Sequence, residues 1–260
     1  MSSVLTEING PIVTVSLNRP DAMNAMDFEM ARDLFKTAVS LGNDPSVRAI
    51  IITGVGDKCF CAGGDLAAFD KHAEIIGRHI DEMALYLHGA ISIFSQVDAP
   101  VITAVNGVTA GAGLAFLGFP QIVIAARSAS FVSAYTKAGL SPDGSSTWYL
   151  PRILGMRRAQ EFIFTNRVLS APEALEWGLV NVVADGSDLL DEANKTANKL
   201  AAGPRVVHGR VKDLLNSSFD SSLEVQMAKE ARYLSQSARS VDGQTGIRSF
   251  LNKSNANFTE

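Results

Sequence analysis

Two glycine-rich segments offer backbone chemistry. Phe60-Cys61-Ala62-Gly63-Gly64-Asp65-Leu66 follows a short apolar run at 49–53, and Asn106-Gly107-Val108-Thr109-Ala110-Gly111-Ala112-Gly113 follows another at 101–105. Glycine permits close approach of the backbone to a ligand, so such segments present N–H groups rather than side chains. Neither segment runs into Gly-Lys-Ser/Thr as a P-loop does, and neither spells the dinucleotide pattern G-x-G-x-x-G. A helix starting near Gly111 points its free N–H groups at a developing negative charge. The same glycines also suit tight turns and close packing. Asp143, in Pro142-Asp143-Gly144, reads locally as a turn. Ser145 and Ser146 beside it lack the G-x-S-x-G elbow of a serine nucleophile. Cys59 and Cys61 build no disulfide framework, and no His/Cys cluster nearby completes a zinc site.

Alternating strands and helices must position these segments. Residues 4–8 and 12–17 are β-rich and flank Asn9-Gly10-Pro11, a hairpin signal. Asp27 caps a helix in which Ala31, Leu34, Phe35 and Ala38 recur at helical spacing before Gly42. A second amphipathic helix spans about 80–94, with Met83, Ala84, Leu87 and Ile91 on one face. Short strands are expected at 49–53, 101–105, 122–125, 130–132 and 179–183, with Ser170-Ala171-Pro172-Glu173 opening a helix as a capping box. From Asp188 onward the pattern is helical only, broken near Gly203-Pro204 and Asn216-Ser217-Ser218. The fold class is therefore α/β, with a core over 1–187 and a helical module over 188–260.

Composition narrows the function classes. The chain has 260 residues, 47% hydrophobic, 19% charged, with a formal net charge of -4. That balance gives no basic footprint for nucleic acid. The apolar stretch 111–126 is broken by glycines and Pro120, and falls short of the roughly 20 residues of a membrane span. The N-terminus does not read as a signal peptide, so a reduced, cytoplasmic setting is expected. Val207, Val211, Leu214 and Leu215 stripe the C-terminal module with more apolar surface than it can bury alone, so self-association is expected.

Four segments together resemble the crotonase (enoyl-CoA hydratase/isomerase) superfamily. Leu17-Asn18-Arg19-Pro20-Asp21-Ala22-Met23-Asn24-Ala25-Met26 is similar to the family's opening, whose loop contacts the CoA nucleotide. The two glycine-rich segments resemble its oxyanion loops, and Trp177-Gly178-Leu179-Val180 its later strand entry. The order and spacing match over essentially the whole chain. The resemblance implies a spiral of ββα units whose C-terminal helices form a homotrimer or a dimer of trimers. It implies acyl-CoA thioester substrates, with coenzyme A entering as part of the substrate and no metal or other cofactor. The implied oxyanion donors are the N–H groups of Gly64 and Ala112. The implied CoA contacts are Arg19, Ala22, Asn24, Ala62, Asp65 and Leu66, mostly through backbone. Phe250 and Lys253 match positions that reach a neighbouring subunit's CoA. Chemistry agrees with such a pair of donors. An α-proton beside a thioester leaves at neutral pH only if its enolate is stabilised, and losing one oxyanion donor costs about 3 kcal/mol.

The base selects the reaction. The family's hydratases use two glutamates, and those positions hold Ala115 and Tyr135 here. The resemblance thus disfavours simple hydration and assigns Tyr135 to pocket shape. The segment 139–148, with 122–129 upstream, is similar to isomerases acting on ring-epoxide and Δ3-enoyl thioesters, whose catalytic aspartate matches Asp143. Segments 152–159 and 165–167 are similar to 4-chlorobenzoyl-CoA dehalogenase. Its nucleophilic aspartate also matches Asp143, its helper histidine His88, and its aromatic partner Tyr135. The reading is an acyl-CoA isomerase, with a hydratase, a dehalogenase or a thioester hydrolase as enzymatic alternatives and an acyl-CoA-binding protein as the non-enzymatic one. Pocket width is expected from about Asp70 to His88.

Overall fold

The computed structural model describes residues 2–259. The expected hairpin is β1 (Val4–Asn9) with β2 (Ile12–Leu17). Helix α1 (Phe28–Gly42) starts where Asp27 accepts a hydrogen bond from the Met30 N–H, and it buries Met30, Ala31, Leu34, Ala38 and Leu41. Then come β3 (Ala49–Gly54), β4 (Cys59–Cys61), α2 (Leu66–Lys71) and α3 (Ile76–Gln96). Strands β5 (Val101–Val105) and β6 (Val108–Ala110) lead into a 3-10 helix, Gly111–Leu117, at the place where the sequence suggested a helix starting near Gly111. After β7 (Ile122–Ala126) and β8 (Ser130–Val132) come α4 (Ser146–Leu154), α5 (Met156–Thr165), β9 (Leu169–Ser170), α6 (Ala171–Trp177) and β10 (Val182–Ala184). Four helices close the chain: α7 (Leu189–Ala201), α8 (Arg205–Ser217), α9 (Leu223–Arg239) and α10 (Val241–Leu251).

Two sheets form. The larger runs β1-β2-β3-β5-β7-β10 and the smaller β4-β6-β8-β9. Each pair β3/β4, β5/β6 and β7/β8 gives one strand to each sheet, which is the expected spiral. Parallel pairing from β2 to β10 buries β3 and β5 on both faces, hence their unbroken apolar runs. The capping box opens α6 as expected. The last strand starts later than the expected 179, because Gly178 (φ 82°) is the left-handed cap of α6 and the N–H groups of Leu179 and Val180 return to the Ala174 carbonyl.

The C-terminal helices divide by what they cover. Leu189, Ala193, Ala197 and Ala201 of α7 pack on Ile51, Ile102 and Ile124, so this helix is a layer of the core although it follows residue 187. By contrast, α9 and α10 bury no residue, and Leu215, Phe219, Leu223 and Leu234 are 65–74% exposed. Among the described residues, no helix is long and apolar enough to cross a membrane.

Lys212 ties α8 to the core. It is 4% exposed, and its Nζ donates to the carbonyls of Phe94 (3.3 Å), Val97 (2.8 Å) and Ala99 (3.1 Å), at and just beyond the C-terminus of α3. These are among the acceptors that a helix end leaves without partners.

Candidate active site

Strands β4, β6 and β8 are parallel neighbours, so the chain leaves all three at the same end of the small sheet. Residues 62–65, 111–113 and 133–135 therefore lie side by side. Gly63 has φ +95°, and a Cβ there would sit 3.0 Å from the Ala110 carbonyl oxygen and 3.2 Å from the Gly111 Cα. The first two loops are thus in backbone contact, and only glycine fits between them. The segment 23–26 braces the first loop. Met26 N–H donates to Gly63 O (2.7 Å), Asp65 N–H to Met26 O (2.9 Å) and Ala62 N–H to Met23 O (3.1 Å). The Gly64 N–H has no acceptor among the described residues. Ala112 is the second residue of its 3-10 helix, where the N–H has no intrahelical acceptor. It is not among the positive-φ residues, so its methyl adds no backbone strain.

Gly64 and Ala112 share a pocket of about 340 Å³ with Tyr135 and Asp143. Leu66, Phe69, Ile80, Met83, Ala138 and Leu140 supply its apolar wall. Ile80 and Met83 fall in the segment expected to set pocket width. Phe69, Ala138 and Leu140 were not singled out by sequence. Their only local signals are an aromatic ring one turn after the Asp65 cap and two small or apolar residues flanking Gly139.

Asp143 is the sole carboxylate lining this pocket among the described residues. The Tyr135 hydroxyl donates to its Oδ1 at 2.5 Å, and His88 Nε2 lies 3.6 Å from its Oδ2. Tyr135 is therefore more than a shape element, because it holds the carboxylate. The contact depends on Ala134 at φ 61°, which swings Tyr135 back toward the loop 141–145. Burial first, and then the adjacent Asp143 charge, push the Tyr135 phenol well above its usual range, so it stays a neutral donor. Its contact with the Asp143 carboxylate raises the His88 imidazole, against the opposing effect of burial. Gly144 N–H also reaches His88 Nε2, at 3.3 Å. Gly144 has φ +60°, and a Cβ there would lie 3.1 Å from the Ala115 Cβ. Ala115, 1% exposed, is thus the floor on which the Asp143 loop rests.

The remaining expected residues fall into two groups. Ala62 and Leu66 line the pocket. Arg19, Ala22, Asn24 and Asp65 stand outside its lining, in the brace of the first loop. Arg19 pairs with Asp65 (2.9 Å) and Asp27 (3.2 Å). Asn24, fully buried, donates to the carbonyls of Cys59 (2.8 Å) and Val55 (3.1 Å). Asp65 also caps α2 through the Ala68 N–H. These side chains are committed within the chain. Phe250 and Lys253 lie exposed at the end of α10 and line no part of the pocket. Both cysteines are buried free thiols, with Cys61 pushed up to about 12 and Cys59 to about 11 by burial. They are inert as nucleophiles at neutral pH.

Comparison with known proteins agrees with this geometry. Residues 7–260 match the family model described as enoyl-CoA hydratase/isomerase. The chain is 36% identical over 262 residues to a 1,2-epoxyphenylacetyl-CoA isomerase of Escherichia coli, covering 100% of this chain and 99% of that protein. It is 35% identical over 214 residues to 4-chlorobenzoyl coenzyme A dehalogenase-2 of an Arthrobacter species, covering 82% of this chain and 77% of the relative. The crystal structure of an enoyl-CoA hydratase from Polaromonas sp. JS666 superposes with a TM-score of 0.93 at 31% identity, over 97% of this chain and 98% of that one. With the two-sheet spiral, the paired glycine loops and a match along nearly its whole length, the chain belongs to the enoyl-CoA hydratase/isomerase (crotonase) family.

Proposed function

We propose that this protein isomerises an acyl-CoA, shifting a double bond or rearranging a ring epoxide through a thioester enolate. The N–H groups of Gly64 and Ala112 hold the thioester oxygen as charge develops, and Asp143 carries the proton between carbons. One observation supports isomerisation over hydration above the rest. Among the described residues the pocket offers a single carboxylate, whereas activating and orienting water in the family's manner takes two, at positions that here hold Ala115 and Tyr135. A proton shuttle needs one base and changes no oxidation state, so the reaction calls for no cofactor beyond the coenzyme A of its substrate.

The test is a panel of Δ3-enoyl-CoA, epoxyacyl-CoA and crotonyl-CoA thioesters incubated in D2O, with products separated by liquid chromatography and read as mass shifts. Isomerised products are expected, with crotonyl-CoA hydrated poorly. Efficient hydration of crotonyl-CoA by the wild type overturns the reading. His88 beside Asp143 favours a second reading, in which Asp143 attacks the substrate and His88 assists. That route leaves a covalent adduct on Asp143 in rapid-quench mass spectra, and proton shuttling leaves none.

The exposed apolar faces of α8 and α9 support self-association through the C-terminal helices. Sedimentation is expected to show a trimer or a dimer of trimers. A monomer at micromolar concentration contradicts it.

A further inference from the structure

Asp143 and His88 form a wall between two cavities. Asp143 lines the acyl pocket, and His88 does not. His88 lines a second chamber of about 740 Å³ on the other side, where Ser92, Gln96, Asp213 and Asn216 stand beside the rings of Trp148 and Tyr149. Among the described residues, none lines both spaces. The His88 side chain is 51% exposed, and Asp143 is 33% exposed. An acyl group filling the apolar pocket shields Asp143 from solvent on that side. The way out for a proton on Asp143 is then through the imidazole.

We propose that His88 is a proton relay that connects Asp143 with solvent in the second chamber, so that the abstracted proton exchanges before it is returned to the substrate. The inference rests on Asp143 being the base. Nε2 is the nitrogen that faces both Asp143 Oδ2 (3.6 Å) and the Gly144 N–H (3.3 Å). It cannot accept from Gly144 and carry a proton toward Asp143 at once. In the resting form the lone pair on Nε2 meets the Gly144 N–H, and the ring proton is on Nδ1. When Asp143 has taken the α-proton, its O–H bond breaks and an Nε2–H bond forms. This regenerates the carboxylate and makes an imidazolium, which pairs with Asp143 instead. The half-exposed imidazolium exchanges its N–H protons with the chamber. It then hands a solvent-derived proton back to Asp143, which delivers it to the γ-carbon. Protons balance at each step, and no other reactant is needed. The adjacent carboxylate also favours the charged ring.

The experiment follows a protiated Δ3-enoyl-CoA in D2O and reads deuterium at the γ-carbon per turnover. Wild type is expected to incorporate it in a large share of turnovers. His88→Gln keeps a polar side chain but cannot relay, so deuterium per turnover is expected to fall roughly fivefold or more, whatever the turnover rate. Ser92→Phe puts a phenyl ring into the chamber one helical turn from His88, away from the His88–Asp143 contact, and is expected to lower it likewise. A purely structural role for His88 would change the rate and leave this ratio alone. If Asp143→Asn is inactive but His88→Gln matches the wild-type ratio, the relay is overturned and the base assignment stands. If Asp143→Asn isomerises as fast as wild type, both fall.

Discussion

Asp143→Asn is expected to keep the fold and the affinity for CoA thioesters, yet isomerise a Δ3-enoyl-CoA roughly 10²–10⁴-fold more slowly. The amide is nearly isosteric, and its oxygen still accepts from the Tyr135 hydroxyl at the position of Oδ1. What it loses is the ability to take a proton. Tyr135→Phe separates holding the base from being the base. A hydrogen bond to a charged group is worth about 1.5–3 kcal/mol, part of which solvent replaces, so roughly a tenfold loss is expected. Steady-state rates for the two variants, with CoA binding measured separately, check both. An Asp143→Asn variant as fast as wild type means that the base lies elsewhere.

Lys212→Met is expected to destabilise the folded chain by about 3 kcal/mol, read as a lower urea midpoint. Methionine fills similar volume, but it leaves the carbonyls of Phe94, Val97 and Ala99 buried without their donor. The pH dependence is the sharper signature. Burial pushes the Lys212 ammonium down from 10.5 to about 7, against the opposing pull of Asp98. The unfolded chain therefore binds the extra proton throughout the window from about 7 to 10.5. Stability rises with pH wherever the unfolded state holds more protons, so this lysine's contribution grows across that window. Wild type is expected to gain on Lys212→Met as pH rises from 7 toward 10. Parallel curves for the two proteins over this range contradict the assignment.

Local signals explain what could be read in advance. The hairpin at β1–β2, the Asp27 cap and the Ser170–Glu173 capping box each depend on a few adjacent residues, and each formed where expected. The small sheet was largely hidden. Its β4 and β6 strands have three residues each, sit in glycine-rich sequence, and pair Cys59 with Val108 across a long separation. Periodicity has nothing to count in three residues. The same limit applies at the site. Gly64, Ala112 and Asp143 were placed by motif, and they line one pocket. The Tyr135–Asp143 hydrogen bond was not legible, because it needs the left-handed turn at Ala134, a residue that rarely announces one. Nor does sequence separate the brace formed by Arg19, Asn24 and Asp65 from a ligand contact, since both uses want the same polar residues.

The contact of Ala115 with Gly144 bears on how readily one chemistry turns into another. A Cβ on Gly144 would stand 3.1 Å from the methyl of Ala115, so a longer side chain at 115 is expected to press on that backbone turn at φ +60°. A glutamate there is expected to displace the loop that carries Asp143. Gaining the first carboxylate of a water-adding site therefore means displacing the one already in use. A lineage or an engineer moving between the two activities is therefore expected to rebuild residues 141–145 together with position 115.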